Sequence, residues 1–305
     1  MKPHEQSILT QTPGLKRNLP VLCILLVLAG GCGTLADAHD GLLFEMDFEQ
    51  GTYAPLRPDG NEHISVVSSP VRTGTRAALF ELDRSAPVSY RTELTFQGVH
   101  SFRIGHEYWL GMSVFLPEDW AVDYSAEIVA QIHSWPDKDL GEEWRNPPIA
   151  LYVTGEQWIM RIRADKSTLT RKGNGQWRYT LDKTFEHLAP IRRGQWTDWV
   201  FHIKYHYDST GLLEAWADGK KVVEHRGPVT QNDKAGGFLK IGLYKWDWRN
   251  SRTATSRRAL YIDEVRIAGA GAGYADVAPK LAAPALPDKP GGPATQPMPL
   301  DAALP

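Results

Sequence analysis

Short apolar runs alternating with polar residues recur along most of the chain, each broken by Gly, Pro, Asp or Asn. They fall at 42–48, 64–68, 77–82, 89–96, 108–116, 127–135, 149–153, 158–164, 196–207, 212–217, 238–246 and 260–267. A period of two marks strands with one buried face, and the 3.6-residue period of an amphipathic helix is nearly absent. About a dozen strands in some 230 residues predict an all-β antiparallel sandwich or jelly roll, its sheets curved enough to leave a concave groove. No internal repeat of fixed period interrupts this reading.

The pattern fails at both ends. Lys16 and Arg17 precede an apolar run, 19–31, of signal-peptide length and too short for a membrane span. Residues 1–38 therefore read as an export signal. Leu28-Ala29-Gly30-Gly31-Cys32 resembles a lipobox with its leucine one place too far away, and Ala36-Asp37-Ala38 offers an ordinary cleavage site. Lipidation at Cys32 would tether an exported protein to the bacterial membrane; cleavage at 38 would release it into the periplasm or medium. From 269 to 305 the chain turns to Ala, Pro and Gly and is expected to be a flexible tail. Gly269, Gly271 and Gly273 lack the strand-to-helix context of a phosphate loop. The working unit is thus a single domain, 40–268, expected as a monomer.

Composition narrows the chemistry. Lys plus Arg number 34 against 36 Asp plus Glu, a net charge of −2, so no broad basic surface exists for nucleic acid. An anionic ligand must meet a local cationic site. The two cysteines, Cys23 and Cys32, both precede the domain, which excludes a disulfide framework or a thiolate zinc site within it. Eleven Trp and eleven Tyr suit sugar binding and sheet packing equally.

Alternation turns spacing into geometry. Over 89–95, Arg91 and Glu93 share a face. Over 127–133, Ile128, Ala130 and Ile132 are assigned to the core, leaving Gln131 and His133 together on the other side. Over 238–246 the core takes Leu239, Ile241 and Leu243, while Lys240, Tyr244 and Trp246 face away. Gly242 between them would let a ligand approach the backbone. A guanidinium, an amide with an imidazole, and a phenol with an ammonium describe one reaction well, β-elimination in a polyuronate. Its C5 proton lies beside a carboxylate that Arg91 and Gln131 can neutralise. His133 suits the base and Tyr244 the acid, or Tyr244 takes both roles if the two protons lie on one side.

The segments Arg91-Thr92-Glu93-Leu94, Gln131-Ile132-His133 and Lys240-Ile241-Gly242-Leu243-Tyr244 resemble, in the same order, three motifs of jelly-roll alginate lyases. The stretches 194–196, 211–220 and 261–265 look more like the related glucuronan lyase and heparin lyase I group. The resemblance spans most of 42–268 and implies a concanavalin A-like sandwich with Arg91, Gln131, His133 and Tyr244 catalytic. Glu93, Lys240, Lys245, Trp135 and Trp246 are then expected to bind an acidic polysaccharide such as alginate or glucuronan. Lys245-Trp246 replaces the Asn-Gln of the alginate lyases, and Phe238-Leu239 the opening Tyr-Phe, which points away from alginate itself. No cofactor is needed for the chemistry. Asp47 and Asp263 are candidate ligands for a structural calcium.

Three other readings compete. Glu45, Asp47 and Glu49 resemble the alternating carboxylates of laminarinase-type hydrolases, but they lie on the first strand rather than at mid-domain. A carbohydrate-binding module without catalysis would keep the groove and lack the His133 and Tyr244 pair. His202, Lys204, His206 and Asp208 share a face, which Lys204 makes unattractive for a metal and which reads as a solvated outer strand.

Overall fold

The period-two segments form strands, and their apolar faces meet in one core. The structure, a computed structural model, describes residues 41–60, 63–85, 90–250 and 253–280. The segment read as an export signal, with Cys32, and the residues beyond 280 lie outside them. The strands are β1 (Leu42–Met46), β2 (Arg57–Gly60), β3 (Ile64–Val67), β4 (Ala77–Asp83), β5 (Arg91–Thr95), β6 (His106–Leu116), β7 (Glu127–Ser134), β8 (Ile149–Thr154), β9 (Gln157–Ala164), β10 (Lys172–Gly173), β11 (Gln176–Trp177), β12 (Leu181–Phe185), β13 (Gln195–Tyr205), β14 (Leu212–Ala217), β15 (Lys220–Arg226), β16 (Gly237–Tyr244) and β17 (Arg257–Gly269).

Two antiparallel sheets carry the fold. One runs β15-β14-β13-β6-β17-β4-β3 with β1 added on β17; the other runs β12-β9-β8-β7-β16-β5-β2. Their inner faces supply a continuous apolar cluster that includes Phe80, Leu94, Met112, Val114, Trp158, Trp199, Leu239 and Ile241. Trp158 of β9 and Trp199 of β13 meet edge to face across the interior at 5.4 Å, a contact that adds to their area burial.

Two bulges decide which side chains face the groove. Between Ile128 and Ala130, β7 carries one residue too many against β8. Ile128 therefore leaves the core expected for it and joins Ala150 and Tyr152 in a second cluster, against which Tyr244 and Trp246 pack. A single-residue slip inverts a face because the side-chain period is two. On β16 the register slips against β7 between Ile241 and Tyr244. Gly242 sits in this bulge at φ +130°, where a Cβ would lie 2.4 Å from the Thr92 carbonyl and 2.9 Å from the Glu93 Cα. Close packing on β5, rather than access for a ligand, is what requires glycine there.

The domain also extends past its expected end. After Gly269 the chain turns into a short helix, α1 (Tyr274–Val277), whose Val277 is fully buried with Val200 and Ala268. Gly111 of β6 makes room for it: a Cβ there would overlap the Val277 carbonyl at 1.8 Å. The outer face of β13 is correspondingly less solvated than expected. His202 stacks on Trp109 at 4.1 Å between Glu107 and Glu214, 2.7 and 2.8 Å from its two ring nitrogens.

Candidate active site

The sheet containing β5, β16 and β7 presents its non-core face to a cleft of about 560 Å³. Arg91, Gln131, His133, Lys240 and Tyr244 all line it. Register explains the convergence: Tyr244 lies opposite Arg91, Lys240 opposite Gln131, and Phe238 opposite His133. The five polar groups thus ride on three adjacent strands of one ladder.

At the centre, two cations sit between two carboxylates. The Arg91 guanidinium lies over the Tyr244 ring at 4.1 Å and donates to Asp59 at 3.3 Å. The Lys240 ammonium pairs with the same Asp59 oxygen. Beneath them Glu93, 1% exposed, stands 3.7 Å from Arg91 and 3.9 Å from Lys240, and accepts a hydrogen bond from the Gln131 amide. Burial works against the Arg91 cation, but Glu93, Tyr244 and Asp59 outweigh it and hold the guanidinium above its ordinary value. Burial pushes the Glu93 carboxyl up against the pull of Lys240, Arg91 and Gln131. Glu93 therefore lies under the site as a brace and does not reach a ligand.

His133 forms one wall. Its ring stacks on Phe238 at 5.9 Å and meets Trp144 edge-on at 5.2 Å. Burial pushes it down to about 4, and the cations Lys240, Arg91 and Arg145 push the same way against the bond to Ser134. The ring is neutral at ordinary pH. Nδ1 lies 3.0 Å from the Ser134 carbonyl, which can only accept, so the proton resides on Nδ1 and the Nε2 lone pair is left as the basic atom.

Four expected ligand contacts take other roles. Lys245 is fully buried, donating to the Ser125 carbonyl at 2.8 Å and lying 3.3 and 3.4 Å from Asp123 and Glu127. Paired carboxylates are what let an ammonium leave water, so it binds no substrate. Trp246, half-buried, packs edge-on against Tyr244 and Tyr152 and backs the phenol instead of lining the cleft. Trp135 sits behind Trp144 and Phe238. Glu93 braces from below.

Several cleft residues escaped the sequence reading: Asp59, Trp144, Arg145 and Arg249. Trp144, half exposed, presents an indole from the loop joining β7 to β8. Arg145 beside it is buried and paired with both Glu142 and Asp233, donating to the latter at 2.6 Å. Glu142 in turn accepts from the backbone N–H groups of Asp137 and Thr170 at 3.0 and 2.8 Å. This network pins the loop over the groove.

Asp47 and Asp263, the candidate calcium ligands, both accept backbone hydrogen bonds. Asp263 accepts from the backbone N–H groups of Arg72, Glu264 and Thr73 at 2.9, 2.8 and 3.4 Å, and Asp47 accepts from that of Glu49 at 3.1 Å. Among the described residues no three His, Cys, Asp or Glu side chains converge as a metal centre. The carboxylates of the hydrolase reading are equally occupied: Glu45 pairs with Arg266, and Glu49 accepts from the Thr75 and Arg76 backbone. Glu45 lies on β1, in the other sheet, and Asp47 and Glu49 follow the end of that strand.

Cations, an imidazole and a phenol thus share one cleft on the face of a β-sandwich. The family model for polysaccharide lyases matches residues 47–266, and the chain belongs to that family. Its structure is similar to that of an endo-β-1,4-glucuronan lyase from the fungus Trichoderma reesei, at 25% identity and a TM-score of 0.65, covering 79% of this chain and all of that one. An alginate lyase from Aplysia kurodai shares the fold at 10% identity and a TM-score of 0.52, over 74% of this chain and 98% of that one. No curated protein matches the sequence. The protein is a polysaccharide lyase.

Proposed function

We propose that the enzyme cleaves a polyuronate, glucuronan or a closely related glycan, by β-elimination at the Arg91–Gln131–His133–Tyr244 cleft. The observation that carries this reading is the convergence of two cations, Arg91 and Lys240, with an imidazole and a phenol in one cleft. The 25% identity to a glucuronan lyase favours glucuronan over alginate.

Arg91, Lys240 and the free amide N–H of Gln131 would take the substrate carboxylate and stabilise the charge that develops on it as C5 loses its proton. The C5–H pair then forms the C4=C5 double bond, the C4–O4 bond breaks, and O4 leaves with a proton. His133 Nε2 accepts the C5 proton where it lies on the far side of the ring from the leaving group, and Tyr244 delivers the proton to O4. Where the two lie on one side, Tyr244 performs both transfers, its phenolate being stabilised by Arg91 stacked upon it. Trp144 offers a ring face to an adjoining sugar. No step calls for a cofactor.

The test is to incubate the purified enzyme with glucuronan, alginate and heparin without additives and follow the ultraviolet absorbance of 4,5-unsaturated uronate ends. Glucuronan is expected to give the largest rate. New reducing ends without the chromophore would overturn elimination. We further propose that the protein is exported and lipidated at Cys32; Cys32→Ser should then move it from the membrane fraction to the soluble one.

A further inference from the structure

Asp59 stands where a ligand's carboxylate is wanted. One of its oxygens accepts from both Arg91, at 3.3 Å, and Lys240, cations borne on neighbouring strands β5 and β16. Those two donors are the ones assigned above to the substrate. Their other counter-ion, Glu93, lies beneath the sheet surface at 1% exposure and is tied to Gln131, so it cannot move aside. Asp59 differs in both respects. Its side chain is 35% exposed, and it sits on β2, an edge strand bonded only to β5.

We propose that Asp59 is a resident surrogate for the substrate carboxylate, holding Arg91 and Lys240 poised in the empty cleft and giving up its place when a uronate enters. This rests on the polyuronate reading of the site. Asp59 already holds both cations, so an incoming carboxylate must either evict it or bear its repulsion. Displacement repays its cost only to a ligand that offers a carboxylate to both donors. Neutral sugars, and acidic ones bound out of register, leave the Asp59 bridges intact. Asp59 thereby keeps the two cations in place in the free enzyme, at the expense of uronate affinity.

The experiment measures binding without turnover, in the Tyr244→Phe enzyme, by calorimetry with saturated glucuronan and alginate tetrasaccharides and a cellotetraose control. Adding Asp59→Asn, which keeps the side chain's size and removes its charge, should tighten uronate binding about tenfold and leave cellotetraose unchanged, widening the gap between the two probes. Asp59→Glu, which restores the charge, should return affinity toward that of the parent. If Asp59→Asn binds the tetrasaccharide as the parent does, or more weakly, while its melting temperature is preserved, Asp59 merely braces Arg91 and the surrogate role is overturned. If the Tyr244→Phe parent binds neither uronate tetrasaccharide, the polyuronate reading itself falls and this inference with it. The two failures are therefore distinguishable.

Discussion

His133 shows how one environment serves both chemistry and stability. Buried against Phe238 and the edge of Trp144 and facing Lys240, Arg91 and Arg145, it is pushed down to about 4 from its unperturbed value of 6.5. The unfolded chain takes up this proton first as pH falls, so stability from His133 is complete above about 6.5 and is lost as pH drops through the folded value. A nuclear magnetic resonance titration of the free enzyme should place the His133 midpoint near 4, and a midpoint near 6.5 would show the ring to be solvated. Arg91→Ala should lower kcat at least a hundredfold, about 2.7 kcal/mol, with a smaller effect on KM; a loss under threefold in a folded variant would remove Arg91 from the charge-stabilising role. Lys245 shows where residue-level reading stops. Its parity along β16 matches Leu239, Ile241 and Leu243, and so already points to the core. Charge argued for solvent, and only the fold reveals Asp123 and Glu127 waiting inside. Lys245→Met should cost about 3 kcal/mol in urea denaturation, because it removes the cation beside buried Asp123, leaving only the neutral donors Ser125, Thr253 and Thr255, and leaves Glu127 to Arg258 alone. An unchanged midpoint would mean these carboxylates do not depend on Lys245.

At the scale of elements, the site is a property of three neighbouring strands. β5, β16 and β7 bring Arg91, Lys240, Tyr244, Gln131 and His133 together because their registers are fixed by the core residues between them. Strict alternation makes Arg91, Gln131 and Tyr244 legible in the sequence. The bulge that turns Ile128 into the groove is not legible, since an extra residue leaves no mark in an apolar run. Asp59 was equally hidden: Arg57-Pro58-Asp59-Gly60 has the composition of a turn, yet pairs as an edge strand with β5. Trp144 and Arg145 come from a loop whose conformation depends on the local pair Glu142–Arg145 and on Asp233, 88 residues from Arg145, a contact that no local pattern encodes. Gly242 tests the dependence of the site on this ladder. An alanine there meets the β5 backbone in a conformation that side chains avoid, so Gly242→Ala should destabilise by at least about 2 kcal/mol. It should also depress kcat by loosening the pairing that carries Arg91. Full activity with an unaltered melting temperature would show that the bulge does not hold the site.

Over the whole molecule, each sheet has its own task. The cleft sits on one, while the other carries on its outer face the chain's last described segment. The sequence supports the sandwich strongly, because alternation averaged over a dozen strands leaves no other fold class with enough buried surface. It misplaces the end of the domain because Ala, Gly and Pro spread over 269–278 have the composition of a linker. The physical reason for the difference lies in a few contacts. Val277 is buried against Val200 and Ala268, with Ala272, Tyr274 and Ala278 packed around it beside Trp109 and Trp216. Arg266 also donates to the Ala278 carbonyl at 3.2 Å, tying the segment back to β17. Burying one valine fully is worth about 1.5–3 kcal/mol, and its partners on β6, β13 and β17 would be exposed along with it. A chain ending at Lys280 should therefore melt as the full-length protein does, whereas one ending at Gly269 should lose at least about 2 kcal/mol and melt several degrees lower. Because α1 packs on the sheet opposite the cleft, KM should be unchanged at temperatures where the shorter chain stays folded. Equal melting temperatures for the two truncations would restore the earlier boundary and make the turn after Gly269 part of the tail.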